Sequence, residues 1–320
     1  MSCLDPLFCL RGLDARCVRF LPKIKWSCSL ATGTSLGYVI LWDIERRRRR
    51  NEFKAHDKAV IGIESTSHGL LLTQSLAGEI KIWGDDLQRG KILVKGLYCG
   101  FASFALLKNY DDVDLMAYAA EATVEVMNIA TEERHSSLSS TQFKCGICMV
   151  LRIFRRQLDD DGGVCCVVVG GGFESGHLLL WSLTTQGGLL CAVNLFAGEP
   201  LVSFAIDSTC QMGLVGSMGN VCKQLIFAFD DDNGSVKVEE KRRIQLPSDG
   251  ITTIAIRNDL KICATGGSDG KIRMYAWKTL KPLAVLTLHS NQIYSLDFAE
   301  NNFLAAGSKE QRVSLWSLYT

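Results

Sequence analysis

Alternation at every second position recurs along this chain: Ile80 and Ile82 flank Lys81, Val124 and Val126 flank Glu125, Ile272 and Met274 flank Arg273, and Val313 and Leu315 flank Ser314. A period of two marks a strand with one buried face, and a small or turn-forming cluster before each run predicts a tight turn into it. The runs belong to seven comparable segments: GTSLGYVILW, QSLAGEIKIW, YAAEATVEVM, GFESGHLLLW, GSMGNVCKQL, GGSDGKIRMY and GSKEQRVSLW. They end at Trp42, Trp83, Met127, Trp181, Leu225, Tyr275 and Trp316, with spacings of 41, 44, 54, 44, 50 and 41 residues. In five of them a glycine (Gly33, Gly172, Gly216, Gly266, Gly307) stands nine positions before the end, and Gln74 and Tyr118 take that place in the other two.

One unit of forty-odd residues with two loop insertions therefore repeats seven times. Further apolar runs, such as KICATGG at 261–267 and NFLAAGS at 302–308, fill out each unit to a four-stranded antiparallel blade. Seven such blades arranged radially predict an all-β fold, a seven-bladed β-propeller, with residues 1–320 as a single domain. Only four residues follow Trp316, so the last blade lacks its outermost strand at that end. The apolar run Leu7 to Leu10 is predicted to supply it and to close the ring.

At this point the residues carry a resemblance. A strand ending in Trp42-Asp43, a Gly-Ser-x-Asp-Gly turn at Gly267 to Gly270, and a histidine fourteen residues after a terminal position (His56 after Trp42, His289 after Tyr275) resemble WD repeats. In that family a His, a strand Ser or Thr, a turn Asp and the Trp form a hydrogen-bonded set inside a blade. The resemblance implies His289, Glu310 and Trp316 for the last repeat, with Ala306 where the hydroxyl should stand and Glu in place of Asp. For the second repeat it implies His56 and Trp83, with Ala77 at the acidic position, and for the sixth the turn acid Asp269. On that pattern the network is incomplete and apolar packing holds most blades.

The segment Lys281 to Thr320 and the opening Asp5 to Gly12 are similar to the family of G-protein-beta-subunit-like WD-repeat proteins that includes fungal ASTRA-associated subunits. That resemblance implies a non-catalytic adaptor, with the co-chaperone machinery that matures phosphatidylinositol 3-kinase-related kinases, and those kinases, as partners. The first blade starts almost at once and no heptad precedes it, which disfavours a G-protein gamma subunit as partner.

Composition narrows the rest. Lys plus Arg total 35 against 34 for Asp plus Glu, a formal net charge of +1, so no long-range field draws the chain to nucleic acid or an anionic membrane. Hydrophobic residues make up 47%, and the mean hydropathy of +0.12 suits strands buried on both faces. The longest apolar stretch, Val164 to Gly172, is far short of the ~20 residues of a spanning helix. The opening MSCLDPLFCLRG lacks a signal-peptide pattern, and a cytoplasmic or nuclear location is expected. The 13 cysteines, among them Cys28, Cys165, Cys166, Cys191 and Cys263, are expected to be reduced and buried as small hydrophobes.

Candidate chemistry is sparse. Cys145-Gly-Ile-Cys148 has metal or redox spacing, but the run around it reads as strand, where residues three apart point to opposite faces. The acidic turns Asp159 to Gly163 and Asp230 to Gly234 do not place oxygen ligands at calcium-loop positions and are read as solvated loops, Asn233-Gly234 suiting a hairpin. His56 and His289 are read as blade hydrogen-bonders. The triplet Gly170 to Gly172 precedes a strand and not a helix, which argues against a phosphate cradle. No nucleophile elbow, phosphate loop or zinc-protease helix occurs, so neither enzyme activity nor a cofactor or metal is expected.

The leading expectation is a protein–protein interaction scaffold. The alternative is a chromatin- or nucleic-acid-associated subunit using the basic run Arg46, Arg47, Arg48, Arg49 and Arg50. Counted in the repeat frame, that run falls on the turn into the outer strand of blade one and on the strand itself. It reads either as cations that keep a sheet edge from pairing with another chain or as a dock for an acidic partner segment or import factors.

Overall fold

The computed structural model describes the whole chain except residues 1–4, 12–13, 23–29, 97–99, 158–164, 185–187, 231–232, 249 and 319–320. Its order begins with β1 (Phe8–Arg11), followed by β2 (Ala15–Phe20), β3 (Leu30–Thr34), β4 (Tyr38–Asp43) and β5 (Arg48–Lys54) in blade one. Blade two holds β6 (Val60–Ser65), β7 (Leu71–Ser75), β8 (Ile80–Trp83) and β9 (Gly90–Val94); blade three holds β10 (Ala105–Tyr110), β11 (Val113–Ala119), β12 (Thr123–Asn128) and β13 (Arg134–Ser139). A short 3-10 turn at Thr141–Phe143 leads to blade four, β14 (Cys148–Gln157), β15 (Cys165–Phe173), β16 (His177–Ser182) and β17 (Leu189–Asn194). Blade five is β18 (Leu201–Ile206), β19 (Met212–Ser217), β20 (Val221–Asp230) and β21 (Ser235–Gln245). Blade six is β22 (Ile251–Ile256), β23 (Ile262–Gly267), β24 (Ile272–Ala276) and β25 (Pro282–Leu286), and β26 (Ile293–Phe298), β27 (Phe303–Ser308) and β28 (Arg312–Ser317) belong to blade seven.

The strands form seven four-stranded antiparallel sheets. Six follow chain order; the seventh runs β1-β28-β27-β26, so the N-terminal strand is its outermost member, with Phe8 opposite Leu315 and Leu10 opposite Val313. The run Leu7 to Leu10 thus does what the repeat arithmetic requires, with the Leu7 amide donating to the Leu315 carbonyl at 2.8 Å. In the six sheets whose fourth strand follows directly in the chain, a bulge interrupts the third–fourth pairing; in five it lies at the terminal position of the repeat, as between Leu41 and Trp42 and between Met274 and Tyr275, and in blade two it lies between Ile80 and Lys81. The β1–β28 pair has no such shift. A bulge sets two residues against one and sharpens local twist, and the ladder to the separate N-terminal strand carries none.

Contacts divide the chain into two compact units, Met1–Cys99 with Ser248–Thr320, and Gly100–Pro247. Within each, the apolar core lies between neighbouring sheets. In the first unit, Leu41, Val60, Leu71 and Trp83 join blades one and two, Leu304 and Trp316 pack with Ile272 and Met274, and Leu10, Val313 and Leu315 pack with Val18, Ile40 and Trp42. In the second unit, Leu115 and Val126 pack with Val167 and Trp181, and Val168 and Leu180 pack with Phe204 and Leu225. Trp181, Trp277 and Trp316 are fully buried, each such side chain contributing on the order of 3 kcal/mol through removal of apolar surface from water.

The repeat glycines mark where one sheet's first strand presses on the sheet before it. A Cβ on Gly33 would lie 2.8 Å from Val60 Cβ, one on Gly266 2.7 Å from Ile293 Cγ2, one on Gly172 2.3 Å from Leu201 Cδ2, and one on Gly307 2.8 Å from the Ala15 carbonyl oxygen. Val60, Ile293, Leu201 and Ala15 each open the first strand of the next blade. That first strand has an unpaired edge, and in β2 the edge is satisfied by side chains of β26. The Val18 amide donates to Ser295 Oγ at 3.2 Å and the Phe20 amide to Asp297 Oδ2 at 2.7 Å. Arg19 pairs with the same Asp297 at 2.9 Å and with Glu64 of β6, tying three first strands by one guanidinium. No described helix is long and apolar enough to cross a membrane.

Replacing Gly266 with Val is expected to lower stability by about 1–3 kcal/mol, because the added atoms meet Ile293 and Thr253 where nothing can yield without parting two sheets. Gly84→Ala, where the nearest atom stands 4.0 Å away, is expected to stay within about 0.5 kcal/mol. Urea denaturation midpoints of the two variants check the contrast.

Candidate interaction surface and the hydrogen-bond sets behind it

Two blades carry complete polar sets. In blade two the Trp83 indole donates to Thr73 Oγ1 at 2.9 Å, Thr73 Oγ1 lies 2.8 Å from His56 Nε2, and His56 Nδ1 lies 3.0 Å from Glu79 Oε1. In blade seven the Trp316 indole donates to Ser314 Oγ at 2.8 Å, that hydroxyl lies 2.8 Å from His289 Nε2, and His289 Nδ1 lies 2.7 Å from Glu310 Oε1. The carboxylate only accepts and the indole only donates, so one assignment satisfies every atom. Trp N–H donates to the hydroxyl, the hydroxyl donates to Nε2, and Nδ1–H donates to the carboxylate. That chain needs a neutral imidazole.

Electrostatics agree. Burial, with side chains 0% and 1% exposed, holds His56 and His289 below the ordinary histidine pKa and outweighs the Glu79 and Glu310 hydrogen bonds that pull upward. Glu79 and Glu310 lie below the usual carboxylate range: burial alone would raise them, but Lys81 and His56 hold the first, and Ser290 and His289 the second, in the charged form.

Two positions differ from those expected. The acid of blade two is Glu79, not a residue at the Ala77 place; the turn delivers its carboxylate two residues later, where Lys81 also reaches it at 2.9 Å. The hydroxyl of blade seven is Ser314, not a residue at the Ala306 place. Ala306 and Ser314 are register partners across β27 and β28, so the hydroxyl has crossed to the facing strand and still meets both His289 and Trp316. Thr73 was also overlooked, although it stands ten residues before Trp83 just as Thr32 stands ten before Trp42.

The other blades keep fragments. Trp42 donates to Thr32 Oγ1 at 2.9 Å, and that hydroxyl passes its own proton to the Ile40 carbonyl. In blade six Asp269 takes Arg273 through both oxygens, at 3.2 and 2.6 Å, and Ser248 at 2.8 Å. Burial would raise this carboxyl, but those partners bring it down to about 2. Thr265, opposite Arg273 and equivalent to Thr73, is buried with no hydrogen-bond partner for its hydroxyl among the described residues.

The arginine run lies where the repeat frame puts it. Arg46 and Arg47 are in the turn after β4, and Arg48 to Arg50 open β5, which among the described strands pairs with β4 alone. Three of the five are occupied. Arg46 donates to Asp43 through its amide at 2.9 Å and its guanidinium at 3.2 Å, which, the amide first, hold that carboxyl below its ordinary pKa. Arg47, at φ 53°, lies 4.9 Å over the Phe8 ring of β1. Arg49 lies 5.4 Å over Trp42 and pairs with Glu52 at 2.9 Å. Arg48 and Arg50 make no hydrogen bond, ion pair or ring contact with any described residue; Arg50 is the extra residue of the bulge, between Arg49 opposite Trp42 and Asn51 opposite Leu41.

The remaining candidates find structural places. Cys145 precedes β14 in a loop and only Cys148 is in strand, so the opposite-faces argument does not apply; both thiols are buried in one apolar cluster, and burial pushes Cys148 up to about 12. Burial likewise pushes Cys191 and Cys263 up to about 12. Gly170 to Gly172 lie within β15, and Phe173 is buried at its end. Asp230 and Gly234 frame the β20–β21 hairpin, where Asp230 accepts from the Asn233 amide at 3.1 Å. Asp159 to Gly163, Asp231, Asp232, Cys28 and Tyr98 lie outside the described residues. No group of three or more His, Cys, Asp or Glu placed to hold a metal occurs among the described residues.

The WD domain, G-beta repeat family matches residues 240–276 and 280–317. The chain shares 17% identity with the β-propeller domain of Cps50 (Swd1) from Myceliophteria thermophila, with a TM-score of 0.77 over 98% of this chain and 99% of that one. The chain is a seven-bladed β-propeller. It is 29% identical to guanine nucleotide-binding protein subunit beta-like protein 1 of Mus musculus over 98% of this chain and 96% of that protein. It is 25% identical to ASTRA-associated protein 1 of Schizosaccharomyces pombe over 98% and 99%. Each matched WD segment begins on the fourth strand of one blade or just ahead of it and ends on the third strand of the next. A WD-repeat propeller built on that offset leaves the last blade one strand short, which is the place β1 takes.

Two outcomes follow for these sets. Thr73→Val should cost about 1–3 kcal/mol by stranding His56 and the Trp83 indole, whereas Thr265→Val, which removes a buried hydroxyl without partner, should be neutral or stabilising in the same denaturation assay. Because His56 and His289 titrate lower when folded, the unfolded chain binds the extra protons. Their contribution is whole above about pH 6.5 and is lost as pH falls toward their folded values. Asp269 adds a second loss as pH falls from 3.8 through about 2. Denaturation midpoints should fall from pH 8 to 5 in the native chain and fall less steeply in His289→Gln, where His56 still titrates.

Proposed function

We propose that this WD-repeat propeller is a non-catalytic adaptor that works with co-chaperone machinery to support the assembly and stability of phosphatidylinositol 3-kinase-related kinases, in the cytoplasm, the nucleus or both. The observation that carries this is likeness over 98% of the chain to relatives named as ASTRA-associated or beta-like proteins, at 25% and 29% identity. A scaffold role also agrees with where the ionisable groups are spent. Both blade histidines are saturated by neighbours inside their sheets, and buried thiols are held protonated, so these groups serve packing instead of facing a substrate.

The rim arginines suit a protein partner better than nucleic acid. Arg46 and Arg49 are already paired with carboxylates, and two unoccupied guanidiniums give a short positive strip. Depleting the protein should lower steady-state amounts of the related kinases at unchanged transcript levels, read by immunoblot and transcript counting; unchanged kinase abundance would remove the kinase-specific part of the reading. Replacing Arg46 to Arg50 with neutral polar residues should leave the folded state intact and release one partner in affinity purification. If the run instead bound nucleic acid, log affinity would fall steeply with log salt.

A further inference from the structure

The ladder that joins β1 to β28 places Arg11 directly opposite Arg312. Directly opposed residues of an antiparallel pair project to the same face with Cβ atoms about 5 Å apart, and like charges so placed oppose the pairing. Neither arginine makes a hydrogen bond or ion pair with any described residue. The carboxylate that lines the same space, Glu310, keeps its charge but is turned to other partners: one oxygen accepts from His289 at 2.7 Å and the other from Ser290 Oγ at 2.6 Å. Arg11 and Arg312, with Glu310 and Gln311, line an open cleft of about 420 Å³. A four-residue closing strand therefore ends on two guanidiniums that form no ion pair with a described residue, and with the Glu310 carboxylate they leave a net positive charge around a solvent-accessible space.

We propose that this cleft is a binding site for a phosphate-type anion, and that its occupation fastens the N-terminal strand to the last blade. A single carboxylate is satisfied by one guanidinium fork. Two forks side by side match a tetrahedral group with more than one charge and three acceptor oxygens. The side-chain amide of Gln311 can add a donor. Because the two arginines come together only when β1 is paired, the anion binds the closed form and not the opened one, and stabilises it by mass action. The phosphate can be free or can belong to a phosphorylated segment of a partner protein.

The thermal midpoint of the full chain is measured against sodium phosphate and against sodium chloride at matched ionic strength, for the native protein, Arg312→Gln and Arg11→Gln. The native midpoint should rise saturably with phosphate beyond the chloride control. Either variant should need about tenfold or more phosphate for the same rise, as loss of a charged hydrogen-bonding group implies. In the absence of phosphate Arg312→Gln should be no less stable than the native chain, since it relieves the opposed charges. A phosphoserine peptide that binds more tightly than inorganic phosphate assigns the site to a partner segment; equal binding assigns it to the free ion. Equal phosphate responses in native and variant chains, or a native response no larger than that to chloride, would overturn the site. Should one variant fail to fold, the other carries the comparison.

Discussion

The close approach of neighbouring sheets within each unit is the constraint on which the rest of the fold depends. Where the first strand of one blade meets the second strand of the blade before it, the backbone lies so near that a Cβ would stand inside its neighbour: Gly33 against Val60, Gly172 against Leu201, Gly266 against Ile293, Gly307 against Ala15. With glycine there, branched side chains drop into the space and the interior is filled from both sides. The apolar clusters lie accordingly between sheets and not at the centre of any one. Each blade thus relies on its neighbour, as repeat architectures generally do.

Polar sets are laid over this packing, unevenly. Blades two and seven hold a full relay from indole to hydroxyl to imidazole to carboxylate, while blades one and six hold parts of it. The relay fixes the register of the turn that carries the acid and the loop that carries the histidine. Where it is absent, the packed sheets suffice. The Thr265 hydroxyl, buried and without a partner among the described residues, is what remains when an incomplete set keeps one member.

The rim is organised by the same geometry. The arginine run sits on an outer strand, and its members are sorted by what lies beneath them: Phe8, Trp42, Asp43 and Glu52 take three, and solvent takes two. Arg47 over Phe8 also joins blade one to the closing strand, so one basic residue serves the seam while its neighbours face outward.

The sequence by itself determined the repeat, its seven terminal positions, the alternation of its strands and the need for an N-terminal strand in the last blade. These are short-range periodicities and a count, and both are written in the order of residues. It also singled out His56, His289, Glu310, Trp316 and Asp269, each of which makes side-chain hydrogen bonds within or beside its blade. What it did not disclose depends on residues far apart in the chain. Glu79 replaces the Ala77 position because the path of a turn decides which carboxylate reaches the imidazole. Ser314 replaces the Ala306 position because facing strands offer either side the same contact. Only the tertiary structure decided which arginines are tied, and that Arg11 and Arg312 stand opposed, since strand pairing brings together residues some three hundred apart that no local pattern relates.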